Sequence, residues 1–319
     1  MRLGFIYYLY RLAVLRGRCN IGTAVPESFI TYNLFNDQTC FANDFEPVTK
    51  PDPQNYVHGY SERETERLYD QAGSVRHLIH HELRYPPGSK VLEAGCGVGA
   101  QTVTLAQNNP EAHFYSVDWA ENSLELARDA VASQGIINVQ FCEANLFDLP
   151  FEAAYFDHIF VCHLLEHQVE PALGLKALRN HLKPGGTVTV FEGDHGSCYF
   201  YPPSEDALMT WNCLIEVQRR LGANSLIGRE LFPLITDAGF TRVRVEPKMV
   251  YIDQSRPELM ESFVHKTIIP MVEGVRDHAL EMELIDASTW HNGISDLHRI
   301  RHLETGIFCY TFFKGNAIR

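Results

Sequence analysis

The sequence predicts an α/β protein in which a parallel sheet is covered by helices on both faces. Three observations predict it. From Tyr56 onward, short apolar runs alternate with stretches of helical spacing. Each connection between runs is long enough to hold a helix, as parallel pairing requires. The first run leads into glycines 95, 97 and 99, and sheets of this class bind ligands just beyond the carboxyl ends of their strands.

Taken in order, Ser61-Glu62-Arg63-Glu64 reads as a capping box that opens a helix running towards Arg84. Pro86-Pro87-Gly88 ends it. Lys90–Ala94 is a strand, and a helix follows the glycines to about Asn108. His113–Asp118 is the next strand. Glu121–Gln134 is a helix closed by Gly135. Val139–Glu143 and Phe156–Cys162 are strands, with a helix over Glu170–Leu182 behind the second. Lys183–Gly186 is a turn, and Thr187–Glu192 a fifth strand. Ser204–Leu221 and Arg229–Ala238 read as helices, and Thr241–Ile252 and Gly306–Lys314 as strands. Residues 253–304 have helical spacing and many histidines.

Composition narrows the function. The 319 residues are 45% hydrophobic and 21% charged, ordinary for a globular chain. No apolar run approaches the roughly 20 residues of a membrane span. Lys+Arg number 27 against 40 Asp+Glu, a formal charge of −13. Residues 1–55 are balanced, so the excess belongs to the remainder. A nucleic-acid backbone needs a basic face, so a nucleic-acid partner is not expected, nor is a membrane. Eight cysteines form no Cys-x-x-Cys pair, which points to reduced thiols and a cytoplasmic setting. Residues 1–26 carry arginines and no acidic residue; a mitochondrial presequence is the alternative, though Ser is absent before Ser28. Residues 1–55 read as an extension, ending in the linker Lys50-Pro51-Asp52-Pro53.

Glycines between strand and helix permit positive φ and close ligand approach. The following helix offers free N–H groups to an anionic guest. Gly95, Gly97 and Ala100 also fit a dinucleotide fingerprint, with an acid at a fitting distance. A nicotinamide-dependent dehydrogenase therefore stays open on this segment alone.

The surrounding residues sharpen the reading. Val91-Leu92-Glu93-Ala94-Gly95-Cys96-Gly97-Val98-Gly99 resembles the first motif of the class I S-adenosylmethionine (SAM) dependent methyltransferases. Asp118 ends the second strand, followed by Trp119. Ala144-Asn145-Leu146-Phe147-Asp148-Leu149-Pro150-Phe151 is similar to the family's G-D-A-x-x-L-P-F. Phe156–His163 and Leu182–Gly186 resemble later motifs.

The resemblance implies a Rossmann-like seven-stranded, mostly parallel sheet whose last strand is antiparallel. The core would span 56–252 and 305–319, with 253–304 a helical insertion or cap contributing to the substrate site. It implies SAM as cofactor, with Glu93, Gly95, Cys96, Gly97 and Gly99 in the binding turn and Asp118 on the ribose hydroxyls. Trp119 would lie against adenine and Asn145 would meet its amino group, beside Leu146. Cys162 would wall the methionine end. Tyr60, in a segment that often folds over the cofactor, completes the set.

The methyl of SAM is already activated, so alignment comes first and a base matters only for a protonated nucleophile. The candidates are His163, Asp194 and His195. Glu192-Gly193-Asp194-His195-Gly196 reads as a movable rim at the substrate or as a plain surface loop. His163-Leu164-Leu165-Glu166-His167 matches the zinc pattern H-x-x-E-H, which on a helix puts both histidines on one face. Its place beside a cofactor wall makes no metal the expectation. The family's nucleic-acid branch carries [DN]-P-P-[YFW] where this chain has Cys162-His163-Leu164-Leu165. The expected acceptor is therefore a small molecule, as in natural-product biosynthesis. A SAM-binding protein of this fold that transfers no methyl, a cyclising catalyst or regulatory subunit, is the alternative.

Overall fold

A computed structural model describes residues 62–319. Helix α1 (Glu62–His80) leads into β1 (Lys90–Ala94), α2 (Thr102–Asn108), β2 (His113–Asp118), α3 (Glu121–Ser133) and β3 (Val139–Glu143). Then come β4 (Phe156–Cys162), α4 (Pro171–His181), β5 (Leu182–Tyr201), α5 (Glu205–Arg220) and α6 (Leu231–Asp237). After β6 (Thr241–Ile252) lie α7 (Pro257–Leu259), a π-helical stretch Met260–Ile268, α8 (Ile269–Glu273), α9 (Arg276–Glu281) and α10 (Ala287–Arg299). Strand β7 (Ile307–Ile318) closes the chain.

The sheet order is β3-β2-β1-β4-β5-β7-β6. Strands β1 to β5 pair in parallel, and β7 runs antiparallel to both β5 and β6. This is the expected seven-stranded, mostly parallel sheet. Successive residues of a strand face opposite sides, and the core divides accordingly. Val91 and Phe160 enter one buried cluster with Val75 and Ile79 of α1 and Leu214 of α5. Leu92, Ile159 and Val161 enter the other, with Leu175 and Leu178 of α4 and Leu231 and Ile235 of α6. Every parallel strand thus ends on the same edge, where the site is built.

Helix α1 stops at His80, short of Arg84. The chain beyond it is held instead by Asn109, whose Oδ1 accepts the Tyr85 N–H over 2.9 Å. Between β6 and β7 the chain is helical, with Phe263, Trp290 and Leu297 buried. Helix α10 lies close enough to α5 that a side chain on Gly293 would collide with Asp206 O and Thr210. Among the described residues, no helix is long and apolar enough to cross a membrane.

Strand β5 differs from expectation. The Lys183–Gly186 turn is a bulge inside it: Leu182 pairs with Phe156, and pairing resumes at Thr187 opposite His158. Nor is Glu192–Gly196 a movable rim. Glu192, Gly193 and Asp194 pair with Phe313, Phe312 and Thr311 of β7, and Glu192, Asp194 and His195 are buried.

Candidate active site

The turn after β1 is held by β2. Gly95 and Cys96 donate their N–H groups to Val117 O, over 2.8 and 3.0 Å. Gly95, Gly97 and Gly99 all have φ between +51° and +78°, where a side chain is strained. At Gly99 a Cβ would also lie 2.9 Å from Ala127 Cβ, so this glycine admits α3 to the turn. At Gly97 a Cβ would meet nothing within 4 Å. It borders open space, a trough of about 270 Å3 lined by Glu93, Gly95–Val98, Asp118, Trp119, Cys162 and His163.

Asp118 stands at the end of β2, where the trough meets a second cavity of about 130 Å3. Its Oδ2 accepts from Gly97 N over 2.8 Å and its Oδ1 from Ala120 N over 3.0 Å. Each carboxylate oxygen has two lone pairs, so beside these backbone N–H groups and that of Trp119 the carboxylate can still accept from a guest hydroxyl. Burial raises the carboxyl pKa, and the backbone N–H groups oppose that rise. The second cavity is lined by Trp119, Asn145 and Leu146. Asn145 folds its amide oxygen onto Phe147 N at 2.9 Å, and the second lone pair of that oxygen stays available.

Glu93 is buried at the floor. Its Oε2 accepts from Thr102 Oγ1 at 2.7 Å and Ser116 Oγ at 2.6 Å. Burial raises its pKa to about 7, against the pull of those two hydroxyls. Cys162 is buried too, which pushes its thiol well above the ordinary range.

His163 stands between the trough and a third, inner cavity of about 60 Å3. It adopts φ +52°, and Leu165–His167 is a single 3-10 turn. The H-x-x-E-H motif is therefore not on an α-helix, and the helical face that would present both histidines does not form. Burial lowers the His163 pKa to about 3 and the His167 pKa to about 4, so both rings are neutral at physiological pH. His195 also lines the inner cavity. Its Nδ1 lies 2.7 Å from Tyr310 Oη, and burial takes its pKa to about 3.

Asp194 is drawn elsewhere. Arg229 donates Nε and Nη2 to its two oxygens, each over 2.8 Å, and Gly196 N adds a third bond over 3.0 Å. Asp194 is in none of the three cavity walls. Its expected place at the substrate is corrected: the carboxylate ties β5 to the turn before α6.

Three comparisons bear on this geometry. A methyltransferase domain family model matches residues 86–216. Demethylmenaquinone methyltransferase of Geobacillus stearothermophilus is 28% identical over 201 residues, 56% of this chain and 86% of that protein. An uncharacterized 37.1 kDa protein in transposon TN4556 of Streptomyces fradiae is 28% identical over 179 residues, 56% of this chain and 51% of that one. Residues 86–216 are thus similar to methyltransferase domains. In the solved structures, the YcgJ protein of Bacillus subtilis shares the fold, with a TM-score of 0.50 at 15% identity over 77% of this chain and 98% of that one. The chain spans about half the length of the Streptomyces relative.

Most residues that the motifs single out lie on one edge. Tyr60 and the extension 1–55 lie outside the described residues. The motifs missed the α1 wall of the trough, Glu64, Thr65, Leu68 and Gln71, and also Asn122 and Gln168. The one available signal was position: α1 is the helix that precedes the first strand. From residues 253–304, Met271 lines the inner cavity.

Proposed function

We propose that this chain transfers the methyl group of SAM to a small-molecule acceptor. One observation carries the reading: Asp118, fixed by Gly97 N and Ala120 N, stands where two cavities meet. A nucleoside laid across it puts its ribose on the carboxylate and its base in the cavity of Trp119, Asn145 and Leu146. Its amino-acid arm then runs along the glycine turn towards Cys162 and His163. The methyltransferase family match over this segment supports SAM as that nucleoside.

In this reading the sulfonium supplies the activated methyl. The chain supplies alignment and exclusion of water. The acceptor approaches past His163, which borders both the trough and the inner cavity. Leu68, Val98, Phe160 and Leu164 in the trough wall favour an apolar acceptor body, in keeping with a quinone-like or natural-product molecule.

Mass spectrometry of the protein with SAM and a pool of candidate acceptors tests this. The expected product gains one CH2 unit, with S-adenosylhomocysteine (SAH) formed in equal amount. SAM bound and left unconverted across the pool points to the non-transferring alternative.

A further inference from the structure

We infer that His163, Glu166 and Glu192 form a divalent transition-metal site at the inner end of the trough. One ligand atom from each lies within 4.8 Å of the others. They come from three places: the left-handed residue after β4, the 3-10 turn that follows, and the middle of β5. The set is one imidazole and two carboxylates, a borderline N/O donor set suited to Zn2+ or Mn2+. It differs from the motif reading, in which His163 and His167 would share an ion.

Two further observations point to a ligand there. Glu192 is fully buried and its orientation is fixed, because Oε1 accepts the Leu164 and Leu165 N–H groups over 3.0 and 2.8 Å. Its Oε2 is buried with no hydrogen-bond partner. A carboxylate oriented this way by second-sphere bonds is preorganised as a ligand. Second, His163 and Glu166 line the inner cavity with His195, which is 6% exposed and whose Nε2 also has no hydrogen-bond partner. The cavity's 60 Å3 holds an ion with its waters, and His195 Nε2 can accept from such a water.

The charges match. Arg67 faces the same cavity, and its guanidinium is held by Glu64 through bonds of 2.6 and 2.7 Å. Glu166 and Glu192 remain, two carboxylates against the two charges of the ion. Burying neighbouring carboxylates is costly unless a cation compensates.

Calorimetric titration of the chelator-treated, untagged full-length protein with Zn2+ and with Mn2+ tests the site, with elemental analysis for stoichiometry. The expected result is one ion per chain, with affinity lowered about tenfold or more in Glu166→Gln and in Glu192→Gln. Glutamine keeps an acceptor for the Leu164 and Leu165 N–H groups. His163→Asn provides a third variant should either of the others fail to melt cooperatively. No stoichiometric binding of either ion overturns the proposal. So does equal affinity in the folded variants, which would place the ion on other histidines.

Discussion

The backbone N–H of Gly97 donates to Asp118 Oδ2 over 2.8 Å. That bond ties the turn after β1 to the end of β2 and aims the carboxylate along the trough. Gly97 adds no side chain to the space it borders, whereas Gly99 is packed against α3. The two glycines should therefore fail differently. Gly97→Val is expected to fold, at a strain cost of about 1–3 kcal/mol, and to lose SAH binding. Gly99→Val is expected to lose stability first, because its Cβ meets Ala127. Thermal melts with and without SAH separate the two. An unchanged SAH shift in Gly97→Val would remove the turn from the site.

Glu93 makes stability depend on pH. Its folded pKa, about 7, lies above that of an exposed glutamate near 4.5. Its contribution is thus fully present below about 4.5 and is lost as pH rises through 7. Glu93→Gln stays neutral and can still accept from Thr102 and Ser116. The stability of the variant relative to the parent should rise between pH 4.5 and 8, by up to about 3 kcal/mol. Denaturant melts across that range measure it. A flat difference means that Glu93 is ionised throughout.

Asp194 is predicted to support the fold and not the chemistry. Arg229 is half exposed, so the loss is discounted from that of a fully buried pair. Asp194→Ala should cost about 1–2 kcal/mol and leave SAH affinity unchanged. Urea melts and calorimetry check both. Intact stability with a hundredfold fall in methyl transfer would return Asp194 to the reaction.

Strands β1 to β4 were legible because each is a short apolar run bounded by turn residues. The extension of β5 was not. Glu192, Asp194 and His195 between glycines look like a solvated loop, and what buries them comes from far along the chain. Arg229, 35 residues on, takes Asp194, and Tyr310, 115 residues on, takes His195. Local periodicity carries no trace of such partners. The glycine turn was legible because its glycines, Glu93 and Asp118 belong to compact motifs. The α1 wall was not, because Glu64 and Gln71 look like ordinary helix-surface residues until the fold lays them over the strand ends. The spacing His163-x-x-Glu166-His167 was set aside as a zinc pattern, and the fold departs from that pattern for a local reason. The spacing suits a helix, but His163 is left-handed and only a 3-10 turn follows, so Glu192 joins the cluster in place of His167.

The most direct test of the account is calorimetric titration of the full-length protein and of Asp118→Ala with SAH, with NADH as the competing nucleotide. The parent should bind one SAH per chain and show no heat with NADH. The variant should fold and bind SAH about ten- to hundredfold more weakly, the loss of two hydrogen bonds to a charged acceptor. Equal SAH affinity in both proteins, or NADH binding without SAH binding, would contradict the account.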